Sequence, residues 1–264
     1  MKVFILVTCR KPELLPASTL VFKSLRTGFP TAEVTAFVNC APDHECGRVI
    51  TEAMLAAGVN AAGWEPRTDN DPKKPTTIHH RFIYELLLKE SDPFWICDTD
   101  VIFWGQVEGK GSSAPMLGRY IPQFRDKFTN CVTRPRLHTS LLWFNTPVLK
   151  RALSQYWQQF PETPFNPRPN LIYPAFYPFR VGAKVTNYFH DTCSLLYQAV
   201  GGQSFSTAEL DLYDHLNFAT ISDIVAPFYP ELRFRESHFA VFENTKLAKG
   251  AWRDQDRFYA ANAV

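Results

Sequence analysis

The stretch DPFWICDTDVIFW, residues 92–104, sets two aspartates, Asp98 and Asp100, between two apolar tetrapeptides. Phe94 to Cys97 has the profile of a buried, central parallel strand. The run "VIFW" follows at once and leaves little room for an exposed loop. Side chains two apart in an extended segment point the same way, so Asp98 and Asp100 would converge on one point. A buried carboxylate without a partner is costly, and a second like charge beside it adds to the cost. A shared proton, an arginine clamp or a divalent cation resolves this, and hard oxygen ligands favour Mn2+ or Mg2+. The alternative is a turn after the strand with both groups in water. Two other Asp-x-Asp triplets, Asp69-Asn70-Asp71 and Asp254-Gln255-Asp256, lie in a Pro/Lys loop and a polar tail and read as solvated turns.

Upstream of this stretch, strand and helix patterns alternate. Val3 to Val7 reads as a buried strand, Pro12 and Pro16 as loop punctuation, and Ser18 to Arg26 as a helix closed by Gly28-Phe29-Pro30. Glu33 to Val38 is β-branched and ends at Asn39. Asp43 to Ala57 is helical and closed by Gly58, Ala61 to Glu65 is a weak strand, and Thr76 to Lys89 is a helix leading into Phe94. Such alternation predicts right-handed βαβ units: an α/β fold with a doubly wound, mostly parallel mixed sheet and flanking helices. Ligands in such sheets bind outside the carboxyl ends of strands. Asp98 and Asp100 lie at one such end, Thr8 and Cys9 at a second, Asn39 at a third.

The second half is less regular. A strand is expected over 137–147, a helix over Val148 to Phe160, a structured flap over the proline- and aromatic-rich 161–180, a helix over Thr192 to Val200 and a late strand over 232–242. One domain over 1–264 is expected, with a nucleotide-binding half, 1–104, and an acceptor-side half, 105–264.

Composition narrows the function classes. With 264 residues, 45% hydrophobic and 20% charged, the chain is an ordinary globular one. A formal charge of +2 argues against nucleic acid or an anionic membrane as partner. No run reaches the ~18 apolar residues of a membrane helix, so any membrane contact would be peripheral. Six cysteines without CxxC pairs suggest a reduced, cytoplasmic chain. Aromatics reach 14%; most should be core, and some would suit stacking on sugar rings.

Further candidates are single residues. His238, in the late strand, could add a third metal ligand and tilt the ion toward Mn2+, or be structural. Arg81, on the helix feeding the Phe94 strand, could grip a phosphate or pair with Asp98 or Asp100, or be a solvated surface group. Lys246 could neutralise a diphosphate, or be merely exposed. Asp191 could hold or activate a substrate hydroxyl, or be a helix N-cap. No GxSxG elbow or HExxH motif occurs.

An N-terminal βαβ half ending in Asp-x-Asp near residue 100, with a late histidine, resembles the GT-A glycosyltransferases, and more narrowly glycosyltransferase family 8. "VTCRKPELLPASTLVFKSL" (7–25) is similar to that family's nucleotide-binding first strand and helix. "HTSLLWFN" (138–145), "HDTCSLLY" (190–197) and "HFAVFENTKLAKGAW" (238–252) stand where the family has its later motifs. Here His138 and Ser140 replace an Asn and a Gly, and Val241 replaces a Gly after the histidine. The resemblance implies a nucleotide-diphosphate-sugar donor and a carbohydrate or lipid-linked acceptor. It implies Mn2+ (or Mg2+) held by Asp98, Asp100 and His238, with Thr8, Cys9 and Asn39 lining the base and ribose and Arg81 facing the donor. Asp191 would act on the acceptor side. Two other classes remain open. A sugar nucleotidyltransferase would show a glycine-rich basic loop after the first strand, which "TCRKPEL" lacks. A non-catalytic nucleotide- or carbohydrate-binding protein would bind without turnover.

Overall fold

The computed structural model describes residues 1–7, 15–38, 45–63, 76–99, 101–125, 130–159, 171–173, 175–181, 184–215 and 252–264. In chain order the elements begin β1 (Lys2–Val7), α1 (Leu15–Gly28), β2 (Glu33–Val38), α2 (Glu45–Ala56), β3 (Asn60–Gly63), α3 (Thr76–Lys89), β4 (Phe94–Cys97) and β5 (Val101–Phe103). They continue with β6 (Met116–Ile121), β7 (Phe124–Arg125), β8 (Val132–Thr133), β9 (Arg136–Phe144), α4 (Thr146–Gln159), β10 (Ala175–Val181) and β11 (Lys184–His190). Last come α5 (Ser194–Val200), β12 (Gln203–Ser204), α6 (Thr207–Leu210), β13 (Tyr213–His215) and α7 (Trp252–Ala261). The fold is mixed α/β, with a mostly parallel central sheet and flanking helices. Two compact units interleave along the chain: Met1–Thr68, Trp95–Lys110 and Phe205–Asp256 form one; Asp69–Phe94, Gly111–Ser204 and Arg257–Val264 form the other.

In the first unit the strands run β4-β1-β2-β3. β1 pairs in parallel with β2, and β2 with β3. The continuous apolar runs of β1 and β4 are buried along almost their whole length, as strands covered on both faces require. From α1, which packs on β5, and the turn after it, Phe22, Leu25 and Phe29 have no exposed surface. Phe29 meets Trp95 at 5.9 Å and Phe103 at 5.3 Å between ring centroids, and Trp95 stacks on Phe205 at 6.1 Å. At the end of α1 the backbone approaches so closely that a Cβ on Gly28 would lie 2.4 Å from the Phe103 ring. β5 leaves the β1 sheet and pairs antiparallel with β13, placing Val101 opposite His215 and Ile102 opposite Asp214.

The second unit holds β12-β6-β9, in which β12 is parallel and β9 antiparallel to β6, and a four-stranded sheet ordered β10-β11-β8-β7. Within the latter, β10–β11 is an antiparallel hairpin pairing Ala175 with His190, and β11 runs parallel to β8. α7 ends here, with Tyr259 buried against Phe124 at 4.9 Å and under the Arg119 guanidinium.

Several expectations need correction. Pro16 is not loop punctuation but the second residue of α1, where a missing N–H removes no helical bond. Of the structured flap expected over 161–180, residues 175–180 belong to strand β10, and Pro178 sits there in the strand that ends the described sheet, a place where proline is tolerated; 161–170 and 174 lie outside the described residues. Asp254 and Asp256 are not in a turn but within α7. The helix expected from Thr192 starts at Ser194. The late strand over 232–242 lies outside the described residues.

Candidate functional site

The first cluster lies in the first unit at the carboxyl end of β4. The strand stops at Cys97, Asp98 is half-buried, and the chain turns at a buried Thr99 before β5 begins at Val101. At Thr99 the extended geometry expected after the strand therefore gives way to a turn. The physical reason is the partner change: β4 lies beside β1, whereas β5 belongs with β13, and the chain must bend between them. From β1 the sheet grows through β2 to β3, and β4 then adds on the other side of β1. This reversal of strand order is a topological switch point, flanked by the ends of β1 and β4.

The turn is anchored on both sides of β5. Phe103 N–H donates to Ser24 Oγ at 3.1 Å, and Val107 and Glu108 N–H both donate to the Gly28 carbonyl at 2.9 Å. Glu108 accepts from Thr31 through both its backbone N–H and its hydroxyl, at 2.7 and 2.6 Å. From the other flank, Trp104 Nε1 donates to Asp214 Oδ2 at 2.7 Å, and Trp104 N–H to the Leu212 carbonyl at 2.8 Å. Asp214 is 1% exposed, and a buried carboxylate with a charge-assisted bond of this length is a strong clasp. Sequence reading missed Asp214. The Tyr-Asp-His run of β13 gives no sign that a tryptophan 110 residues away will meet it.

The second cluster lies in the second unit. Asp191 follows β11, and its carboxylate is held at both oxygens: Oδ2 by Arg136 Nη2 at 2.7 Å, Oδ1 by the Thr192 N–H at 2.8 Å. Asp191 is not the helix N-cap, because the left-handed residue Cys193 (φ 62) occupies that position and α5 starts after it. The Cys193 thiol is buried, and burial together with the Asp191 charge pushes its pKa well up, so it is no nucleophile. His80, on α3, lies against Tyr173 with ring centroids 4.0 Å apart and the planes tilted by 36°, and Tyr84 meets Tyr173 edge-on at 6.1 Å. α3, α4 and α5 also border a cavity of about 370 Å³ lined by Tyr84, Leu87, Leu149, Leu153, Ile172 and Leu196 among others.

Two histidines of this unit resist protonation. Burial, and next the neighbouring His79, lower His80 from 6.5 to about 4, with Asp191 pulling the other way. Burial, and next Arg134, lower His190 to about 4, and its Nδ1 pairs with Gln198 Nε2 at 3.2 Å. Both are depressed bases, so the unfolded chain binds more protons below pH 6.5. The stability they contribute is present above 6.5 and is lost as pH falls from there toward 4. One such histidine is worth up to about 3 kcal/mol. Urea midpoints between pH 7.5 and 4.5 should fall in the wild type and fall less in His190→Gln; equal slopes would contradict this account.

The remaining sequence candidates divide as follows. Arg81 pairs with Glu85 on its own helix at 3.2 Å, half-exposed, an ordinary i,i+4 surface contact. Thr8, Cys9, Asn39, Asp100, His238 and Lys246, and with them the Asp69–Asp71 triplet, lie outside the described residues. Among the described residues no group of three or more His, Cys, Asp or Glu side chains is arranged to hold a metal, and no helix is long and apolar enough to cross a membrane.

No protein-family model and no curated protein matches the chain. Solved structures do. Mouse xyloside xylosyltransferase 1 in its apo form is matched at 10% identity and a TM-score of 0.39, over 61% of this chain and 71% of that one. The glycosyltransferase GlyE of Streptococcus pneumoniae TIGR4 is matched at 10% identity and 0.43, over 98% of this chain and 61% of that one. The mannosyltransferase PcManGT of Pyrobaculum calidifontis, in complex with GDP-Man and Mn2+, is matched at 11% identity and 0.33, over 57% and 45%. This chain thus spans less than two thirds of the latter two.

Proposed function

We propose that this chain is a metal-dependent glycosyltransferase, moving a sugar from a nucleotide-diphosphate-sugar donor to a carbohydrate or lipid-linked acceptor. The observation that carries this reading is the anchored turn that sets Asp98 at the carboxyl end of β4, beside a switch in strand order. Open α/β sheets bind their ligands at that place. The half-buried Asp98 carboxylate offers the hard oxygen donors that Mn2+ or Mg2+ takes, and in this reading Asp100 and His238 complete the set. A bound divalent ion would stabilise charge on the departing nucleoside diphosphate. Thr8, Cys9 and Asn39 would line the base and ribose. Arg81 would exchange its weak surface pairing with Glu85 for the donor, and Lys246 would face the diphosphate. Asp191, its carboxylate already fixed at both oxygens, orients an acceptor hydroxyl. The scattered cysteines, without CxxC pairs, support a cytoplasmic setting. Within the glycosyltransferases, family 8 remains the narrower resemblance.

A thermal-shift screen of nucleoside diphosphates with and without Mn2+, followed by a hydrolysis assay on the matching nucleotide-sugars, tests the reading. The expected result is a midpoint raised more by nucleotide and Mn2+ together than by either alone, with slow donor hydrolysis that a chelator stops. Pyrophosphate release from a nucleoside triphosphate would favour a nucleotidyltransferase instead. A shift without turnover on any donor would point to a binding protein.

A further inference from the structure

In the second unit, α3 and α4 each present an apolar row to the same space. Tyr84, Leu87 and Leu88 lie three and four residues apart on α3, and Leu149 and Leu153 four apart on α4, so each set shares a helix face. Packed helices interdigitate such rows. Here both rows line a cavity of about 370 Å³ instead. Its floor is buried: Leu149 and Leu196 are each 1% exposed. Its rim is open, with Leu88 59% exposed and Lys150 also at the surface.

Hydrogen bonds fix the walls in place. Thr146 Oγ1 donates to the Asp92 carbonyl at 3.0 Å and Lys150 Nζ to the Glu90 carbonyl at 3.1 Å, tying the start of α4 to the chain that leaves α3. The wall at α5 is tied in turn: the N–H groups of Cys193 and Leu196 donate to the carbonyls of Ile172 and Leu171, each at 3.0 Å. Such a pre-formed, apolar space has the size of a small-ligand site, and apolar cavities take up apolar ligands. The polar groups narrow the choice. The Thr146 proton is committed to a carbonyl, and among the described lining residues Lys150 alone carries a charge. No carboxylate among the described residues pairs with its ammonium, which has two further hydrogens to donate. A sugar or a peptide would bring hydroxyls or amides that leucines cannot bond. A hydrocarbon chain brings none, and an acid group at its end meets Lys150.

We propose that this cavity binds one molecule of an anionic single-chain lipid, its alkyl chain against Leu149, Leu153 and Leu196, Leu88 at the mouth and the acid group at Lys150. The site uses neither Asp98 nor Asp191, and it goes beyond the glycosyltransferase reading without resting on it.

Isothermal titration calorimetry with octyl, decyl and dodecyl phosphate, each below its critical micelle concentration and without nucleotide or metal, tests the site. One dodecyl phosphate should bind per chain, and each added pair of methylenes should tighten binding by about tenfold. Dodecyltrimethylammonium should bind more weakly by about tenfold. Leu153→Trp fills the space, and Leu88→Trp narrows the mouth from an exposed position. Each should weaken dodecyl phosphate binding by about tenfold or more with a thermal midpoint near wild type. Lys150→Met should bring the phosphate and the ammonium to within about twofold of each other. Absence of binding to the wild type overturns the proposal, as does wild-type affinity in both tryptophan variants. A preference for phosphate that survives in Lys150→Met overturns the assignment of the acid group. Binding to phosphatidylglycerol vesicles without binding of the monomeric phosphate would assign the surface to a bilayer, and a dimer that Leu88→Trp dissociates in sedimentation would assign it to a second copy; either result overturns the proposal. The measurement involves no nucleotide-sugar, so its failure leaves the glycosyltransferase reading standing.

Discussion

Asp98→Ala and Asp100→Ala should each reduce Mn2+-dependent hydrolysis of a nucleotide-sugar to background. Each removes a hard oxygen donor from the proposed ion site. Loss of the stabilisation that a bound ion gives the leaving diphosphate, several kcal/mol, corresponds to about 10²–10⁴ in rate. The two residues need not respond alike. Asp98 sits half-buried where β4 ends, so its replacement also disturbs the turn at Thr99. Asp98→Asn keeps the shape while weakening the donor, and separates the two effects. Calorimetric titration of Mn2+ with nucleoside diphosphate present should show tight binding to the wild type and none to Asp100→Ala. An Asp100→Ala protein with full activity would end the metal role.

Trp95→Ala should produce the largest loss of stability. Trp95 has no exposed surface, and its ring touches Phe29 on one side and stacks on Phe205 on the other. Phe205 in turn meets Tyr213 edge-on at 5.7 Å, so the cavity left behind has rigid aromatic walls that cannot collapse into it. Removing a buried tryptophan costs about 3–5 kcal/mol. With a slope near 2.5 kcal/mol/M, the urea midpoint falls by about 1–2 M. Leu88→Ala is the control: this leucine is 59% exposed, and its loss should shift the midpoint by a few tenths of a molar at most. Equal effects at both positions would refute this description of the core. Because Trp95 lies three residues before Asp98, its loss should also weaken Mn2+ binding by loosening the strand that carries the turn.

The local elements of the first half were legible because their signals are local. β2 and α3 have the bounds that β-branching and the Thr76 start indicate, and β4 those that its apolar run indicates. The second half yielded less. β6, "MLGRYI", carries a glycine within a buried strand, and β10 carries a proline; both are residues that lower a strand signal. What makes them strands is their pairing, Met116 with Phe144 and Ala175 with His190, and neither pairing is visible in the six or seven residues themselves.

The same division holds for the site. By itself the sequence determined that two aspartates follow a buried strand, that helices and strands alternate ahead of them, and that Asp191 precedes a helix. These follow from periodicity and composition over a few neighbouring residues. Only the tertiary structure decided that the chain turns at Thr99, that Asp214 clasps Trp104, that Arg136 grips Asp191 and that His80 lies against Tyr173. An ion pair or a buried hydrogen bond forms between groups that the fold brings within about 3 Å. No local pattern encodes that distance, so the partner of a buried charge remains hidden until the chain has closed around it.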